Sequence, residues 1–343
     1  MGRRGHVGLA ARGLAVAAAG ALALAAAGCT SQKVGGSDTA GGGGGKIKIG
    51  LVTKTDSNPY FVALRESAKA EADKQGAELI ALAGKFDGDN DGQVTALENL
   101  IQQGAKAIMV TPSNSTGVIN AIKQARDRGI LVIALDTATD PENAVDATIA
   151  TDNVEAGRLQ GQYVRAALAG KDPHLIMLDG TPGSTVSEQR HNGFLQGIGL
   201  PAGDPRILGA EPTNGEQNKA QQATENLLQR NSEVNAVYNL NEPAARGAYA
   251  ALQGKGLAGQ VVIGAIDGGC QGVQDVKDGK TAVTVMQFPK KMAATGVDDA
   301  VEFAKTGKKP SGFTNTGAMV ITDRPMPGID SKDTAWGLQN CWG

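Results

Sequence analysis

Residues 46–75 read KIKIGLVTKTDSNPYFVALRESAKAEADKQ, and this stretch contains the unit from which the fold is built. Residues 47–53 form a short, mostly apolar run that is typical of a strand. Residues 59–75 have the apolar spacing of an amphipathic helix. Five polar residues, 54–58, lie between the two. A strand, a polar loop and a helix make the first half of a βαβ unit, which predicts a parallel sheet.

The same alternation continues along the chain. In the first half it predicts strands at 78–83, 107–111 and 130–136, and helices at 92–103 and 118–128. In the second half it predicts strands near 147–151, 175–178, 236–240, 261–266 and 282–286, with helices ending near residues 170, 199, 230 and 256. Because a chain of 343 residues usually forms more than one core, we predict two doubly wound α/β lobes. Periodicity alone also allows one large sheet.

The first 29 residues have the pattern of an export signal. Arg3, Arg4 and Arg12 precede an apolar stretch, residues 13–28, that is too short for a comfortable membrane span. Small residues end it directly before Cys29, in a sequence that resembles a lipobox. We interpret residues 1–28 as a lipoprotein signal peptide and Cys29 as the acylated residue. Cleavage near Ala27 with an unmodified cysteine is the alternative, and both predict a protein that works outside the cytoplasm.

A glycine-rich segment, residues 29–45, follows the leader and ends in five consecutive glycines. This composition cannot bury a core and is typical of a flexible tether. We therefore expect the folded part of the chain to begin at Lys46.

Composition and motifs argue against several classes of protein. The 33 Lys and Arg nearly balance 35 Asp and Glu, and no basic block follows the leader, so nucleic-acid binding is not predicted. We find no phosphate-binding glycine loop, nucleophile elbow or zinc-binding histidine pair. His174 and His191 have no nearby nucleophile that would indicate a hydrolase. The sequence thus predicts neither an enzyme nor a cofactor, and no second membrane segment.

The chain has three cysteines, Cys29, Cys270 and Cys341. If Cys29 carries lipid, two remain in an oxidising compartment, where a disulfide between them is the simplest outcome. Such a bond would attach the C-terminal segment to the body of the protein. Two unpaired thiols, or a contact between molecules, are the alternatives.

Polar clusters follow several of the predicted strands. Each alone is explained by a helix cap or a turn, which favour Asp, Asn and Ser. However, open parallel sheets bind ligands beyond the carboxyl ends of their strands. Several such clusters together predict a polar cleft. They are residues 54–58, 136–137, 239–242, 267–269 and 287.

Residues 87–98 formally match the calcium loop of an EF-hand. The context argues against that interpretation, since residues 77–86 have the pattern of a strand and not of a helix. An apolar helical stripe also begins inside the supposed loop. We interpret residues 87–92 as a turn whose Asp and Asn side chains cap the following helix.

Residues 54–61, KTDSNPYF, resemble the first-strand signature of the ribose-binding-like group of sugar-binding proteins of ABC transporters. The resemblance extends over essentially the whole chain from Lys46. Several further stretches are most similar to the fructose-binding branch of that group: residues 83–90, 135–140, 190–194, 241–244, 267–270 and 340–343.

The resemblance implies a set of sugar-contacting residues. From the first lobe these are Lys54, Asn58, Tyr60, Phe61, Asp136 and Thr137. From the second lobe they are Arg190, Asn214, Asn241, Asp267 and Gln287. Thr137 stands where the family commonly has arginine, and Asn214 stands near the place of an aromatic residue in ribose binders, which argues against ribose. Packing beneath the first helix is the alternative role of Tyr60 and Phe61.

The resemblance also implies the architecture and the mode of action. The expected fold is periplasmic binding protein-like, type I, with a three-strand hinge whose crossings lie near 141–151, 287–289 and 314–317. The expected lobes are residues 46–145 with 288–315, and residues 146–287 with 316–343. The lobes would close on a monosaccharide, with fructose the first choice, and a monomer anchored at the membrane would deliver it to an ABC permease. Presentation of the sugar to a chemoreceptor or sensor kinase is the alternative.

The lipid anchor is tested by the change Cys29→Ser. Since no other residue in the leader can be acylated in this way, we expect the variant to be released into the medium. Cell fractionation with immunoblotting measures this, and a variant retained at the membrane would contradict the anchor.

Overall fold

The computed structural model describes residues 45–343. The predicted signal peptide, Cys29 and all of the predicted tether except Gly45 lie outside the described residues. Within the described part, no helix has the length and apolar character needed to cross a membrane. The described residues form two α/β lobes, as predicted.

Strands and helices alternate through most of this region. The strands are β1 Lys48–Thr53, β2 Glu78–Ala83, β3 Ala107–Val110, β4 Leu131–Leu135, β5 Ala147–Ala150, β6 Leu175–Asp179, β7 Ile207–Pro212, β8 Ala236–Asn239, β9 Val262–Asp267, β10 Val283–Met286, β11 Gly312–Asn315, β12 Met319–Ile321 and β13 Ser331–Lys332. The helices are α1 Pro59–Lys74, α2 Asn90–Gln102, α3 Ile119–Asp127, α4 Asn153–Ala167, α5 Thr185–Ile198, α6 Gln217–Arg230, α7 Glu242–Gly254, α8 Cys270–Lys277, α9 Pro289–Thr306 and α10 Thr334–Asn340.

Each lobe is built on its own sheet. The first sheet has the strand order β11-β5-β4-β3-β1-β2, and all of its pairings are parallel. The second has the order β13-β12-β10-β9-β8-β6-β7, in which only the pairing of β10 with β12 is antiparallel. The central strands are buried on both faces, which explains their continuous apolar sequences.

The boundary between the lobes differs from the prediction at one strand. The sequence analysis assigned residues 146–150 to the second lobe, but β5 pairs in parallel with β4 and belongs to the first sheet. The reason is local: a short buried strand followed by a helix has the same pattern whether it ends one lobe or begins the next. The first crossing is therefore at Thr151 and Asp152, immediately after β5.

The other two crossings lie at Gln287–Phe288, between β10 and α9, and at Thr316–Gly317, between β11 and β12. The first and third crossings run side by side. The backbone N–H of Asp152 donates to Oδ1 of Asn315 at 3.3 Å, and the Thr151 hydroxyl donates to the Gly317 carbonyl oxygen at 3.4 Å. The chain thus passes between the lobes three times, which is the connection expected of a hinge.

A disulfide joins Cys270 to Cys341, with a Cα–Cα distance of 4.9 Å. This confirms the predicted pair. The bond attaches the segment after α10 to the first residue of α8, across a sequence separation of 71 residues. It therefore fixes the end of the described chain beside the carboxyl end of β9.

Glycines allow α4 and α5 to pack with their backbones in close approach. A Cβ atom on Gly157 would lie 2.2 Å from the carbonyl oxygen of Arg190, and one on Gly161 would lie 2.2 Å from that of Phe194. These distances are far below van der Waals contact, so only glycine fits. The two helices therefore pack at a spacing that sets the position of Arg190.

We expect Gly157→Ala to destabilise the protein by about 1–3 kcal/mol, because the added methyl group forces α5 away from α4. Gly254→Ala is the matched control, since a Cβ atom there meets no atom within 4 Å. It should be neutral or stabilising by up to about 1 kcal/mol. Urea unfolding measures both changes, and equal midpoints for the two variants would contradict the packing argument.

Candidate functional site

A small cavity lies between the two lobes, where the carboxyl ends of the two sheets face each other. Residues from both lobes form its walls, and most of them follow a strand or begin a helix. The lining residues are Lys54, Asn58, Tyr60, Phe61, Asp87, Asp136, Val186, Arg190, Leu240, Asn241, Asp267 and Gln287.

Nine of the eleven residues expected at the site line this cavity, and Thr137 and Asn214 do not. The Thr137 hydroxyl instead donates to Oδ2 of Asp136 at 2.9 Å and so orients that carboxylate. The side-chain amide of Asn214 donates across the lobes to the carbonyl oxygen of Asp87 at 3.1 Å. Both residues support the cavity from outside it.

The sequence analysis did not select three of the lining residues: Asp87, Val186 and Leu240. Asp87 belongs to the stretch interpreted as a capping turn, and the turn itself is confirmed because Oδ1 of Asp89 accepts from the N–H of Gly92 at 3.0 Å. Its position shortly after β2 is the signal that could have identified it. Leu240 directly follows β8 and lies inside the predicted cluster 239–242, although it was not selected because it is apolar. Val186 is an apolar residue of α5 and has no such signal.

Asp87 and Lys54 join the first lobe to the second. The Asp87 carboxylate accepts from the Thr181 hydroxyl at 2.8 Å and lies 3.9 Å from the Lys54 ammonium group. Lys54 in turn donates to the Ser184 hydroxyl at 3.3 Å. Burial raises the pKa of Asp87, while the nearby Lys54 charge and the Thr181 hydrogen bond oppose this rise. These bonds hold the lobes in contact on this side of the cavity.

Arg190 extends from α5 into the cavity and is only 3% exposed. Its Nε donates to Oδ1 of Asn153 at 2.8 Å, and Nη1 donates to the Leu240 carbonyl oxygen at 3.0 Å. Nη1 also lies 3.8 Å from Oδ1 of Asp267. The guanidinium group is therefore fixed in place and directed at a carboxylate of its own lobe.

Asp267 and Gln287 end two neighbouring strands of the second sheet. Nε2 of Gln287 donates to Oδ1 of Asp267 at 2.9 Å, while the buried Oε1 of Gln287 has no hydrogen-bond partner among the described residues. Burial raises the pKa of Asp267. The charge of Asp136 adds to this rise, and that of Arg190 opposes it. The cavity thus contains at least one acceptor without a donor and a carboxyl group that is desolvated.

Aromatic residues form the wall on the first-lobe side. The Tyr60 ring meets the Phe61 ring edge-on at 5.5 Å between centroids, and meets the Trp342 ring in the same way at 5.3 Å. Burial is the main cause of the raised pKa of Tyr60, and the charges of Asp136 and Asp267 add to it. Tyr60 and Phe61 therefore both pack in the core and face the cavity.

Two of the lining asparagines also cap helices. Oδ1 of Asn58 accepts from the N–H of Tyr60 at 3.0 Å at the start of α1, and Oδ1 of Asn241 accepts from the N–H of Ala244 at 3.0 Å at the start of α7. Helix capping and cavity lining are thus compatible at the same residue. The amide of Asn241 also donates to the carbonyl oxygen of Gly215 at 3.2 Å. An amide oxygen has two lone pairs and an amide nitrogen two N–H donors, so both side chains keep capacity for a hydrogen bond to a ligand.

Glu242 lies behind the cavity as a fully desolvated acid. Its carboxyl group accepts from the N–H groups of Gly268 and Gly269 at 2.8 and 3.2 Å and from the Thr284 hydroxyl at 2.7 Å. Burial raises its pKa, and the charge of Asp267 raises it further. Glu242 therefore holds the turn that directs Asp267 into the cavity.

The volume of the cavity is about 30 Å³. This is far below the hundreds of Å³ that ligand pockets usually measure. A ligand larger than water can therefore enter only when the two lobes move apart.

Two parallel-sheet lobes, three crossings and a polar cavity between the lobes define a two-lobed binding protein. A family model for the periplasmic binding protein domain matches residues 49–309. The chain belongs to this family.

Similarity to individual proteins points the same way. The ribose import binding protein RbsB of Salmonella typhimurium is 36% identical over 265 residues, 77% of this chain and 86% of that protein. The D-allose-binding periplasmic protein of Escherichia coli is 28% identical over 264 residues, 75% and 85% of the two chains. A solved ABC transporter solute binding protein from Actinobacillus succinogenes with bound D-allose is 30% identical, with a TM-score of 0.73 over 81% of this chain and 98% of its own.

The raised pKa of Glu242 predicts a pH dependence of stability. The Glu242 carboxyl group keeps its proton to higher pH in the folded state than in the unfolded state. The unfolding free energy therefore falls as the pH rises above the ordinary glutamate pKa of about 4.3. Glu242→Gln resembles the protonated acid and should reduce this fall by about 1 kcal/mol or more between about pH 5 and about pH 8.

Urea unfolding at the two pH values measures this difference. The control is Glu66→Gln, because the Glu66 side chain is exposed. A Glu242→Gln variant with the same pH dependence as the wild type would contradict the assigned protonation.

Proposed function

We propose that this protein is a monosaccharide-binding component of an ABC importer, which captures the sugar between its two lobes outside the cytoplasm. The observation that carries the proposal is the cavity itself. It combines charged and amide side chains from both lobes with an aromatic wall. Membership of the periplasmic binding protein family and similarity to proteins named for ribose and D-allose support it.

The chemistry of the cavity suits a sugar. A hydroxyl group both donates and accepts, so it can donate to the carboxylates of Asp136 and Asp267 and accept from Arg190. The unpartnered Oε1 of Gln287 supplies a further acceptor. Each hydrogen bond to a charged group contributes about 1.5–3 kcal/mol. The ring of Tyr60 offers a face for the C–H surface of the sugar.

Capture then follows from the hinge. The open form admits the sugar, and the closed form contacts it with residues of both lobes, so binding shifts the population towards closure. The hydrogen bonds that Asp87 and Lys54 make across the lobes in this structure are of the kind that closure forms. The permease would recognise the closed form and receive the sugar without any chemical step.

Fructose is our first choice of sugar, since the stretches that resemble the fructose-binding branch include the cavity residues Asp87, Asp136, Arg190, Asn241 and Asp267. We further propose that acylation of the predicted lipoprotein cysteine anchors a monomer to the membrane, near its permease. The glycine-rich segment that follows the leader would leave the lobes free to open and close.

A thermal-shift screen with fructose, ribose, allose, galactose, glucose, xylose and inositol tests the proposal, because a ligand that binds only the folded state raises the Tm. We expect the largest shift with fructose. Calorimetry then measures the Kd of the best sugar. No shift with any of these sugars would contradict a monosaccharide site.

In the same assay, Arg190→Ala, Asp136→Ala and Asp267→Ala should each weaken sugar binding tenfold or more, because each removes a charged hydrogen-bond partner. Arg128→Ala is the control, since Arg128 is exposed and does not line the cavity. Affinities close to the wild-type value in all three variants would refute the assigned cleft.

A further inference from the structure

Trp342 is buried directly behind the candidate site, although it lies near the end of the sequence. Its ring meets Tyr60 of the first lobe edge-on at 5.3 Å. Its indole N–H lies within hydrogen-bond distance of two carbonyl oxygens of the second lobe, that of Asp267 at 3.2 Å and that of Gln287 at 3.3 Å. One side chain thus contacts three cavity residues from both lobes without lining the cavity itself.

The Asp267 backbone needs this kind of support. Its φ angle is 152°, a conformation that residues other than glycine rarely adopt. Its carbonyl oxygen accepts from the N–H of Gln287 at 2.8 Å as well as from the Trp342 indole. The direction of the Asp267 carboxylate therefore depends on contacts that hold this strained residue in place.

The disulfide fixes Trp342 at this point. Residues 341–343 lie beyond α10, and Cys341 is bonded to Cys270 at the start of α8. The N–H of Cys270 donates to the Trp342 carbonyl oxygen at 3.0 Å, and Gly269 pairs with Trp342 in a β-bridge. The crosslink therefore attaches Trp342 to the turn that follows Asp267.

We propose that Trp342 is a positioning residue for the sugar site, and that the Cys270–Cys341 disulfide acts on sugar affinity through it. The inference rests on the proposed function, because it concerns residues assigned to sugar binding. Trp342 orients Tyr60 from one side and the backbones of Asp267 and Gln287 from the other. Loss of the disulfide releases Trp342 and lowers the affinity, although neither cysteine lines the cavity.

A double-mutant cycle distinguishes this role from a general effect on stability. Calorimetry gives the Kd for the best sugar in the wild type, in Trp342→Ala, in the double change Cys270→Ser with Cys341→Ser, and in all three changes together. We expect tenfold weaker binding in Trp342→Ala and at least threefold weaker binding without the cysteines. If the disulfide acts through Trp342, removing it from the Trp342→Ala variant should have no further effect.

Two further variants keep the test decisive if Trp342→Ala folds poorly. Trp342→Phe retains a ring against Tyr60 but loses the N–H donor, so we expect a loss of about threefold in affinity, by one neutral hydrogen bond. Trp336→Ala removes the other tryptophan, which lies in α10 away from the cavity lining, and should change the affinity less than twofold.

Fluorescence shows whether sugar binding changes the surroundings of Trp342, and an unchanged emission would contradict its coupling to the site. Trp336→Phe leaves Trp342 as the single tryptophan, and we expect its emission to change on sugar binding. Trp342→Phe leaves only Trp336, whose emission should not change.

The outcomes separate the two proposals. The positioning role alone is overturned if the wild type and the Trp342 variants bind the sugar equally well. It is also overturned if the losses of affinity in the cycle are additive. A wild type that binds none of the sugars overturns the proposed function and this inference together.

Discussion

Charged side chains of two lobes are buried together in one small cavity. The rest of the structure depends on the hydrogen bonds and opposite charges that offset the cost of removing these ions from water. The charges are those of Lys54, Arg190, Asp87, Asp136 and Asp267, and all five residues are at least nine-tenths buried. Removing an ion from water costs several kcal/mol, which only partners with good geometry repay. In the closed arrangement these partners come from the facing lobe and from neighbouring strands. A sugar with hydroxyl groups on all sides is a ligand that can complete them.

The backbone of the fold brings the charged residues and their hydrogen-bond partners together. Parallel strands place their carboxyl ends at one edge of each sheet, and the three crossings bring the two edges together. Gly157 sets the spacing that positions Arg190, and Glu242 holds the turn that directs Asp267. Trp342 contacts both lobes from behind. The positions of the side chains that line the cavity therefore depend on residues that do not line it.

Much of the fold could be predicted because buried strands and amphipathic helices have distinct periods. The strand at 78–83 was predicted with its observed bounds, and the helix from Pro59 to within one residue. Strand β11 was missed because all four of its residues are exposed, so it has no apolar signal. The position of β5 was wrong because sheet membership depends on long-range pairing, which a local pattern does not contain.

The site residues that lie at or directly after the ends of strands could be predicted from the sequence. Asp136, Asp267 and Gln287 lie at such positions and reach the cavity. Glu242 lies in the predicted cluster 239–242 and Trp342 in the stretch 340–343, but the sequence analysis assigned neither a role. Those roles depend on contacts with residues that are distant in sequence.

The central claim is that a sugar binds between the lobes and contacts both. A crystal structure with the monosaccharide that raises the Tm most tests it directly. We expect electron density for one sugar ring beside Tyr60, with hydroxyl groups within hydrogen-bond distance of Arg190, Asp136 and Asp267. Sugar density on an outer surface, or contacts with one lobe only, would contradict the account.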